Sequence, residues 1–432
     1  MEIAGILVLI ISFVFLLVVG VPIAYSIGVA GVLTMLTSID SLPAFTTYAQ
    51  RMATGLDSFA LLAIPFFILA GNIMNKGGIA LRLINFARVL VARFPGGLAF
   101  VNVIANMLFG AISGSAAASA SAIGGIMKDE LEKEGYDPNF SAAVNISSAT
   151  TGLSIPPSNI LIVYSLASGG ASVAALFMAG YIPGIMTGLA IMIVAGIYAY
   201  IKKYPTGERV GFKVAIKRFF DAIPSLFLLV IVVGGIIGGF FTATEASAVA
   251  VLYALVLAFV YKEMKWSDLP DVLLQSVKST TVVALLIGAC MGLSWIMAYE
   301  NIPQMVSDAL LGISDSPFVI LLLINLILLI VGVFMDMTPA VLIFTPIFLP
   351  IVTQQLGIDP IHFGMIMVLN LSVGLCTPPV GSVLFIGCSV AKVRIENVIK
   401  PLLPMFVAMI VVLLLVTYFP VFSMWLPNVF GY

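Results

Sequence analysis

The residues best suited to chemistry lie in two similar segments, "GLSIPPSNIL" (Gly152 to Leu161) and "GLCTPPVGSVL" (Gly374 to Leu384). Proline lacks an amide hydrogen, so paired prolines leave free the carbonyls that a helix would otherwise use. A helix broken in this way ends in carbonyls, which suit a cation, and restarts with amides, which suit an anion. A simple proline kink in a packed helix is the alternative. It does not explain why both segments repeat Gly-Leu-x-x-Pro-Pro.

Oxygen-bearing residues near these segments predict two cation sites. A small hard cation such as Na⁺ prefers carbonyl, hydroxyl and carboxylate oxygens. For the first site the expected ligands are Ser113, Ser115, Gly152, Ile155 and Pro157. For the second site they are Asp336, Thr338, Gly374, Thr377 and Pro379.

Asp336 is the most informative of these residues. A carboxylate at membrane depth costs roughly 2.5–3.5 kcal/mol on insertion scales, so a cation or a proton is expected to neutralise it. A helix cap near the outer surface is the alternative reading. Other polar side chains beside the two segments are candidates for solute binding, namely Asn145, Ser154, Asn159, Asn370 and Ser372.

The composition indicates that these segments lie in a membrane. Of the 432 residues, 61% are hydrophobic and 9% charged, whereas a soluble domain has about 25% charged residues. The formal net charge of −1 gives no indication of a nucleic-acid partner. Cys290, Cys376 and Cys388 are expected to be packing residues, and the single histidine, His362, is expected at a surface or in a loop rather than at a metal site.

Basic residues predict the topology. Eighteen of the 19 lysines and arginines fall into five groups, within 76–93, 128–133, 202–218, 262–278 and 392–400. The positive-inside rule places these groups in the cytoplasm and leaves only Arg51 outside. We therefore expect an outer loop over 38–58, an amphipathic cytoplasmic helix over 76–94, a polar connector over 266–277 and an outer arm over 299–317.

Two stretches begin and end on one side of the membrane and therefore predict re-entrant hairpins. The first, 97–127, carries a run of Gly, Ala and Ser and is expected to turn at 113–115. Two tightly packed small-residue helices are the alternative. The second is 318–350, with its turn in "GVFMDMTPAV". Each hairpin is followed by a segment with the paired prolines, so we expect broken helices over 140–167 and 363–390.

An internal repeat relates the two halves of the chain. With an offset of 222 residues, ten of the 63 positions from 95 to 157 are identical without a gap, and most of them are Gly, Pro or Asp. Residues 76–94 are basic, but the corresponding outer arm has no Lys or Arg. The same fold in opposite orientations is an inverted-topology repeat, typical of secondary transporters with a site at mid-membrane. A channel remains an alternative at this point.

Five motifs in order resemble the large membrane subunit of tripartite ATP-independent periplasmic (TRAP) transporters. They are "GVPIAYSIGVAGVL", "SGSAAASASAIGG", "GLSIPPSNILIVY", "FTATEASAVA" and "GLCTPPVGSVLF". One departure is Ala243, where the family often has proline. The resemblance implies an all-α polytopic protein of the bacterial inner membrane that works as a sodium-driven importer by an elevator mechanism. The family's sodium sites match Ser113, Gly152, Pro157, Asp336, Gly374 and Thr377.

The resemblance also implies partners. It predicts a small four-helix membrane subunit, a periplasmic substrate-binding protein and a carboxylate-bearing solute, with two or more Na⁺ ions and no organic cofactor. The chain is more similar to the sialic-acid branch than to the C4-dicarboxylate branch, which stays the alternative solute class. A stand-alone Na⁺/carboxylate carrier is a further alternative. An enzyme is not expected, because no paired catalytic carboxylates or nucleophile–base pair can be found.

These observations predict a division into a static scaffold and a mobile transport domain. The scaffold would comprise 1–74 and 222–298, and the transport domain 96–200 and 318–432. A cytoplasmic arm (75–95), a basic loop (201–221) and an outer arm (299–317) would connect them.

Overall fold

The computed structural model describes residues 2–205 and 211–432, so Arg209 of the third basic group lies outside the described residues. Within those ranges the chain is helical and contains no β-strand. The first half contains α1 (Glu2–Val18), α2 (Ile23–Ser38), α3 (Ser41–Leu56), α4 (Ala63–Lys76), α5 (Ile79–Val91), α6 (Gly97–Ser113), α7 (Ala116–Lys133), α8 (Pro138–Ala149), α9 (Asn159–Ala167) and α10 (Val173–Lys202). The second half contains α11 (Phe212–Ile237), α12 (Ala243–Val260), α13 (Leu269–Tyr299), α14 (Ile302–Leu311), α15 (Pro317–Phe334), α16 (Met337–Pro350), α17 (Pro360–Gly374), α18 (Ser382–Ala391), α19 (Ile395–Tyr418) and α20 (Val421–Val429).

The length and apolar character of its helices make this a multi-pass membrane protein. Eight helices of the described chain are long and apolar enough to cross a bilayer, and several shorter apolar helices accompany them. In hydrocarbon a backbone must satisfy its own hydrogen bonds, which favours helices over open strands. The prediction of an all-α polytopic fold is confirmed.

Both predicted hairpins are pairs of helices joined by a very short turn. Helix α6 ends at Ser113 and α7 begins at Ala116, because Gly114 adopts φ +62° and the Ser115 hydroxyl accepts a hydrogen bond from the Ala118 amide at 3.2 Å. Helices α15 and α16 meet around Met335 and Asp336, which both have an extended backbone, and here no side chain caps the second helix. A π-helical turn, Ile351–Gln355, extends the second hairpin beyond its predicted end.

Both paired-proline segments interrupt a helix, as predicted. Residues 150–158, which include a 3-10 turn at 151–153, separate α8 from α9, and residues 375–381 separate α17 from α18. Asp137 and Asp359 begin the two interrupted helices, each accepting a backbone hydrogen bond, at 2.9 and 2.7 Å. The repeat therefore gives both halves an Asp-capped helix that is interrupted at corresponding positions, although the two breaks differ in their internal hydrogen bonds.

Glycine pairs bring each hairpin against its broken helix. A Cβ on Gly152 would lie 2.4 Å from the Cα of Gly110, and a Cβ on Gly374 would lie 2.6 Å from the Cα of Gly332. No side chain fits between the two backbones at either crossing. The offset of 222 residues maps one glycine pair onto the other, which explains why these positions are identical in the repeat.

The expectation of an outer loop over 38–58 is wrong, because most of this stretch forms α3. Tyr48 anchors the helix: its hydroxyl donates to the Ala289 carbonyl at 2.8 Å, and its ring fills the space above Gly31 and Gly292. The lone Arg51 and the polar residues of this stretch suggested a loop, whereas tertiary packing against α2 and α13 stabilises a helix.

The expectation of a polar connector over 266–277 is also wrong. A 3-10 turn covers only Trp266–Asp268, and α13 then continues unbroken to Tyr299. Pro270 sits in the first turn, where its missing amide costs no hydrogen bond. The polar residues after it, Gln275 and Ser279, belong to this helix and face a cavity.

His362 is not at a surface or in a loop. It lies in the first turn of α17 and is 1% exposed. Its Nδ1 is 2.7 Å from the Ser423 hydroxyl, and its Nε2 is 3.3 Å from the Thr417 carbonyl. The prediction failed because α20 covers the histidine, and the sequence around His362 does not indicate that a distant helix packs there.

The predicted amphipathic arm is a helix, α5, with Leu83, Ile84 and Ala87 buried along one face. Arg82 binds Glu263 at 3.7 Å and lies 3.6 Å from the centre of the Tyr261 ring. Arg88 forms an ion pair with Glu130 of α7. The arm thus contacts the residues that directly follow α12 and the first hairpin.

Candidate solute and cation site

A cavity of about 480 Å³ lies where the two hairpin turns, the two helix breaks and the helices α4 and α13 meet. The hairpin turns contribute residues 113–118 and 336–338, and the breaks contribute Leu153, Asn159 and Leu375. Helices α4 and α13 form the opposite wall. Residues far apart in the sequence therefore share one space of a size that suits a small organic solute.

In the first turn, Ser113 and Ser115 both line the cavity. The Ser113 hydroxyl donates to the Ser115 carbonyl at 3.4 Å, and the backbone of Ser113 packs directly on Gly71 of α4. Asn159, the first residue of α9, packs against Gly114 and also faces the cavity. The first turn and the restart of the first broken helix are thus neighbours.

The first break leaves several buried oxygen acceptors without a hydrogen-bond donor. Within the described chain no hydrogen bond ends on the carbonyls of Ile155, Pro156 or Pro157. The Ser154 hydroxyl is buried, 1% exposed, and has no hydrogen-bond partner. Buried polar groups are normally satisfied, so an orphaned hydroxyl beside free carbonyls fits a bound cation. Gly152 contributes the close contact with Gly110, while Gly152, Ile155 and Pro157 themselves do not line the cavity.

In the second turn, Asp336 and Thr338 line the cavity. Asp336 stands at the start of α16 without capping the helix through its side chain. Its carboxylate pairs with no basic side chain of the described residues. Among the described residues that line the cavity, Asp336 is the single acidic or basic one.

The second break is more internally bonded than the first. The Gly374 carbonyl accepts from the Thr377 amide at 2.9 Å, and the Thr377 carbonyl accepts from the Gly381 amide at 3.1 Å. The Thr377 hydroxyl donates to the Val373 carbonyl at 2.8 Å. A carbonyl or hydroxyl oxygen has a second lone pair, so these groups can still bind a cation. Pro379 is exposed beyond the cavity.

Three of the five predicted solute-binding residues lie away from the cavity, within helix packing. Asn145 accepts a hydrogen bond from Asn106 at 3.0 Å and donates to the Ala120 carbonyl at 2.8 Å. Asn370 donates to the Asn325 side chain at 2.8 Å. Ser372 donates to its own helix at Val368. Asn145 and Asn370 thus tie each hairpin to its broken helix. Ser154 is buried behind the first break, and of the five predicted residues Asn159 alone lines the cavity.

Sequence reasoning missed the polar residues on the wall formed by α4 and α13, namely Asn72, Asn75, Gln275 and Ser279. Asn72 links α4 to α13 by donating to the Ser276 hydroxyl at 2.8 Å. Polar residues inside otherwise apolar helices were the available signal. Their position next to Lys76 and Lys278 made them resemble ordinary interfacial residues.

The chain matches a family model over residues 10–422, described as the DctM component of tripartite ATP-independent periplasmic transporters. It is 57% identical to a Salmonella typhimurium protein called YgiK, over 99% of this chain and 98% of that protein. It is 42% identical to the C4-dicarboxylate TRAP transporter large permease protein DctM of Pseudomonas aeruginosa, over 94% of both chains.

A third relative is the sialic acid TRAP transporter large permease protein SiaM of Vibrio cholerae, which is 39% identical over 96% of this chain and 97% of that protein. Among solved structures, the chain is similar to the YdaH transporter of Alcanivorax borkumensis, described as having an unusual topology. The TM-score is 0.64 at 13% identity, with 89% of each chain covered, so this likeness concerns the fold.

Proposed function

Because the chain belongs to the family of DctM components of TRAP transporters, and is thus a large permease subunit in the bacterial inner membrane and not an enzyme, we propose that it imports a carboxylate-bearing solute in symport with Na⁺. The observation that carries this proposal is the shared cavity, in which both hairpin turns and both helix breaks meet beside the unpaired Asp336 carboxylate.

Two groups of oxygen atoms suit Na⁺ as the coupling ion. At the first break these are the free carbonyls of Ile155 and Pro157 and the unpartnered hydroxyl of Ser154. The Ser113 hydroxyl lies at the end of α6, the helix whose Gly110 packs on Gly152 of the break. At the second turn they are the Asp336 carboxylate and the Thr338 hydroxyl. Hard cations take such oxygen ligands, and the charge of Na⁺ would compensate a carboxylate that is costly in the membrane.

The lining of the cavity supports a solute that is more hydroxylated than charged. None of the described basic side chains lines the cavity, whereas amides and hydroxyls from Ser115, Asn159, Ser382 and the wall of α4 and α13 do. One carboxylate can be received by the amides at the start of α9 and by Na⁺, and several hydroxyl groups by the neutral polar wall. This favours sialic acid as the first candidate, with a C4-dicarboxylate as the alternative; similar relatives are named for both solutes.

In the proposed mechanism the hairpins and broken helices move together as a transport domain past the scaffold of α1–α4 and α11–α13. Asn159 and the first turn hold the solute, while the two glycine crossings keep each turn in register with its break. Na⁺ and solute share these elements, so each should raise the affinity for the other by the same factor.

We further propose that the chain works with a small four-helix membrane subunit and a periplasmic binding protein, as the TRAP family does. The binding protein would deliver the solute at the outer face, and the small subunit would extend the scaffold. A stand-alone carrier would instead transport without the binding protein, so omission of that protein from an uptake assay separates the two.

The experiment is uptake into proteoliposomes that contain the complex of both membrane subunits, with labelled N-acetylneuraminate or succinate and the binding protein outside. We expect uptake to require an inward Na⁺ gradient. Asp336→Asn should raise the Na⁺ concentration for half-maximal uptake about tenfold or more, the equivalent of ~1.4 kcal/mol. Asp315→Asn, at an exposed position away from the cavity, is the matched control. Uptake of either solute that ignores the gradient would refute the coupling.

A further inference from the structure

Three polar side chains of the scaffold face the cavity without a partner. Asn75 lies at the end of α4, and Gln275 and Ser279 lie one turn apart on α13. All three are exposed to the cavity, and none makes a side-chain hydrogen bond to another residue of the described chain. Asn72, by contrast, already bonds Ser276. The scaffold therefore offers unoccupied donors and acceptors to whatever enters the cavity.

The position of these residues along their helices indicates the side from which the cavity is reached. Asn75 directly precedes Lys76, and Ser279 directly follows Lys278. Both lysines belong to basic groups that the positive-inside rule places in the cytoplasm. The hairpin turns thus stand against the cytoplasmic ends of α4 and α13. This arrangement corresponds to an inward-facing state.

Amide and hydroxyl groups both donate and accept hydrogen bonds, so together they match a hydroxylated carboxylate. We propose that Asn75, Gln275 and Ser279 form a cytoplasmic-side subsite for the solute. The inference rests on the proposed elevator motion, because the scaffold does not travel with the hairpin turns. When the transport domain moves outward, these three side chains lose contact with the solute that the turns carry.

The subsite predicts an asymmetry between the two faces of the membrane. Loss of one neutral hydrogen bond weakens binding about three- to tenfold. Gln275→Ala and Ser279→Ala should therefore raise the half-saturation concentration for solute by this factor on the cytoplasmic side. On the periplasmic side, where the binding protein delivers the solute, the half-saturation concentration for solute should stay unchanged.

The test uses proteoliposomes with the whole complex and whichever of labelled N-acetylneuraminate and succinate they transport. Solute in the lumen drives exchange, and its half-saturation concentration reports binding on the cytoplasmic side. Solute that the binding protein delivers from outside reports binding on the periplasmic side. The control is Thr281→Ala on the same helix, because Thr281 is exposed, lies outside the cavity lining and bonds only its own helix at Val277, at 2.8 Å. Equal shifts on both sides, or no shift in the lumen, would overturn the subsite.

A second measurement needs no solute. The three native cysteines are buried, so Ser279→Cys and Asn75→Cys introduce the accessible thiols. A membrane-impermeant maleimide should label them in inside-out vesicles and not in right-side-out vesicles. The opposite labelling would refute the cytoplasmic position. If uptake ignores Na⁺ while the one-sided shift persists, the coupling proposal fails and the subsite stands.

Discussion

The crossing of Gly110 and Gly152 gives the sharpest test of how the backbone holds the proposed cation site. In Gly152→Ala the new methyl group would lie 2.4 Å from the Cα of Gly110, 2.5 Å from its carbonyl carbon and 2.7 Å from the Ala111 amide nitrogen. All three are backbone atoms, so no side-chain rotamer can relieve the clash. An ordinary contact begins at 3.4 Å, so α6 and the first break must separate by about 1 Å.

Two effects of this separation can be measured. Overpacking of a tight contact typically costs about 1–3 kcal/mol in the free energy of unfolding. Cation coordination tolerates only about 0.2 Å in ligand distance, so the first cation site should lose its affinity. The stabilisation that a bound ion gives, about 2.7 kcal/mol at 100 times the dissociation constant, should shrink accordingly.

The assay is thermal unfolding of the purified protein in detergent, followed by tryptophan fluorescence, with Na⁺ or with choline as the replacement cation. Gly152→Ala should unfold at a lower temperature and respond less to Na⁺ than the unmodified protein. Gly125→Ala is the matched control, because a Cβ there meets nothing within 4 Å and alanine favours the helix. An unchanged unfolding temperature and an unchanged Na⁺ response in Gly152→Ala would refute the reasoning.

Two further predictions follow from the same packing and capping arguments. Gly374→Ala places a methyl group 2.6 Å from the Gly332 backbone and should reduce Na⁺-dependent stability as Gly152→Ala does. Gly28→Ala, with open space around the new methyl group, should not. Equal unfolding curves for Gly374→Ala and Gly28→Ala would contradict this prediction. Thr242→Ala removes the capping box that Thr242 forms with Glu245 at the start of α12 and should lower the free energy of unfolding by about 1 kcal/mol. Thr242→Ser should restore most of that loss in the same thermal assay, and a serine variant no more stable than alanine would show that the hydroxyl does not act as a cap.

Local patterns predicted the elements with strong backbone constraints. The paired prolines and their glycines marked both breaks, because few residues tolerate those conformations. The turn at 113–115 could be found for the same reason, since only small residues fill it. Elements held by distant contacts were missed: α3 depends on Tyr48 reaching Ala289, and the burial of His362 depends on Ser423.

The candidate site was predicted less evenly than the fold. Ser113, Ser115, Asn159, Asp336 and Thr338 were identified from their residue types and do line the cavity. Asn145 and Asn370 were chosen for the same polar character, but they hydrogen-bond neighbouring helices inside the packing. A polar side chain near a helix break can face a cavity or another helix, and the sequence around it is alike in both cases.

By itself, the sequence determined that this is a membrane protein with two related halves, since hydropathy, charge and the 222-residue repeat are properties of the chain alone. It also determined where the helices break, because proline and glycine act on their own backbone. Only the tertiary structure decided which polar groups share a cavity, and it showed that Asn75, Gln275 and Ser279 of α4 and α13 line it as well. The physical reason is that these residues stand some 200 positions apart, and their proximity arises from helix packing that no local pattern encodes.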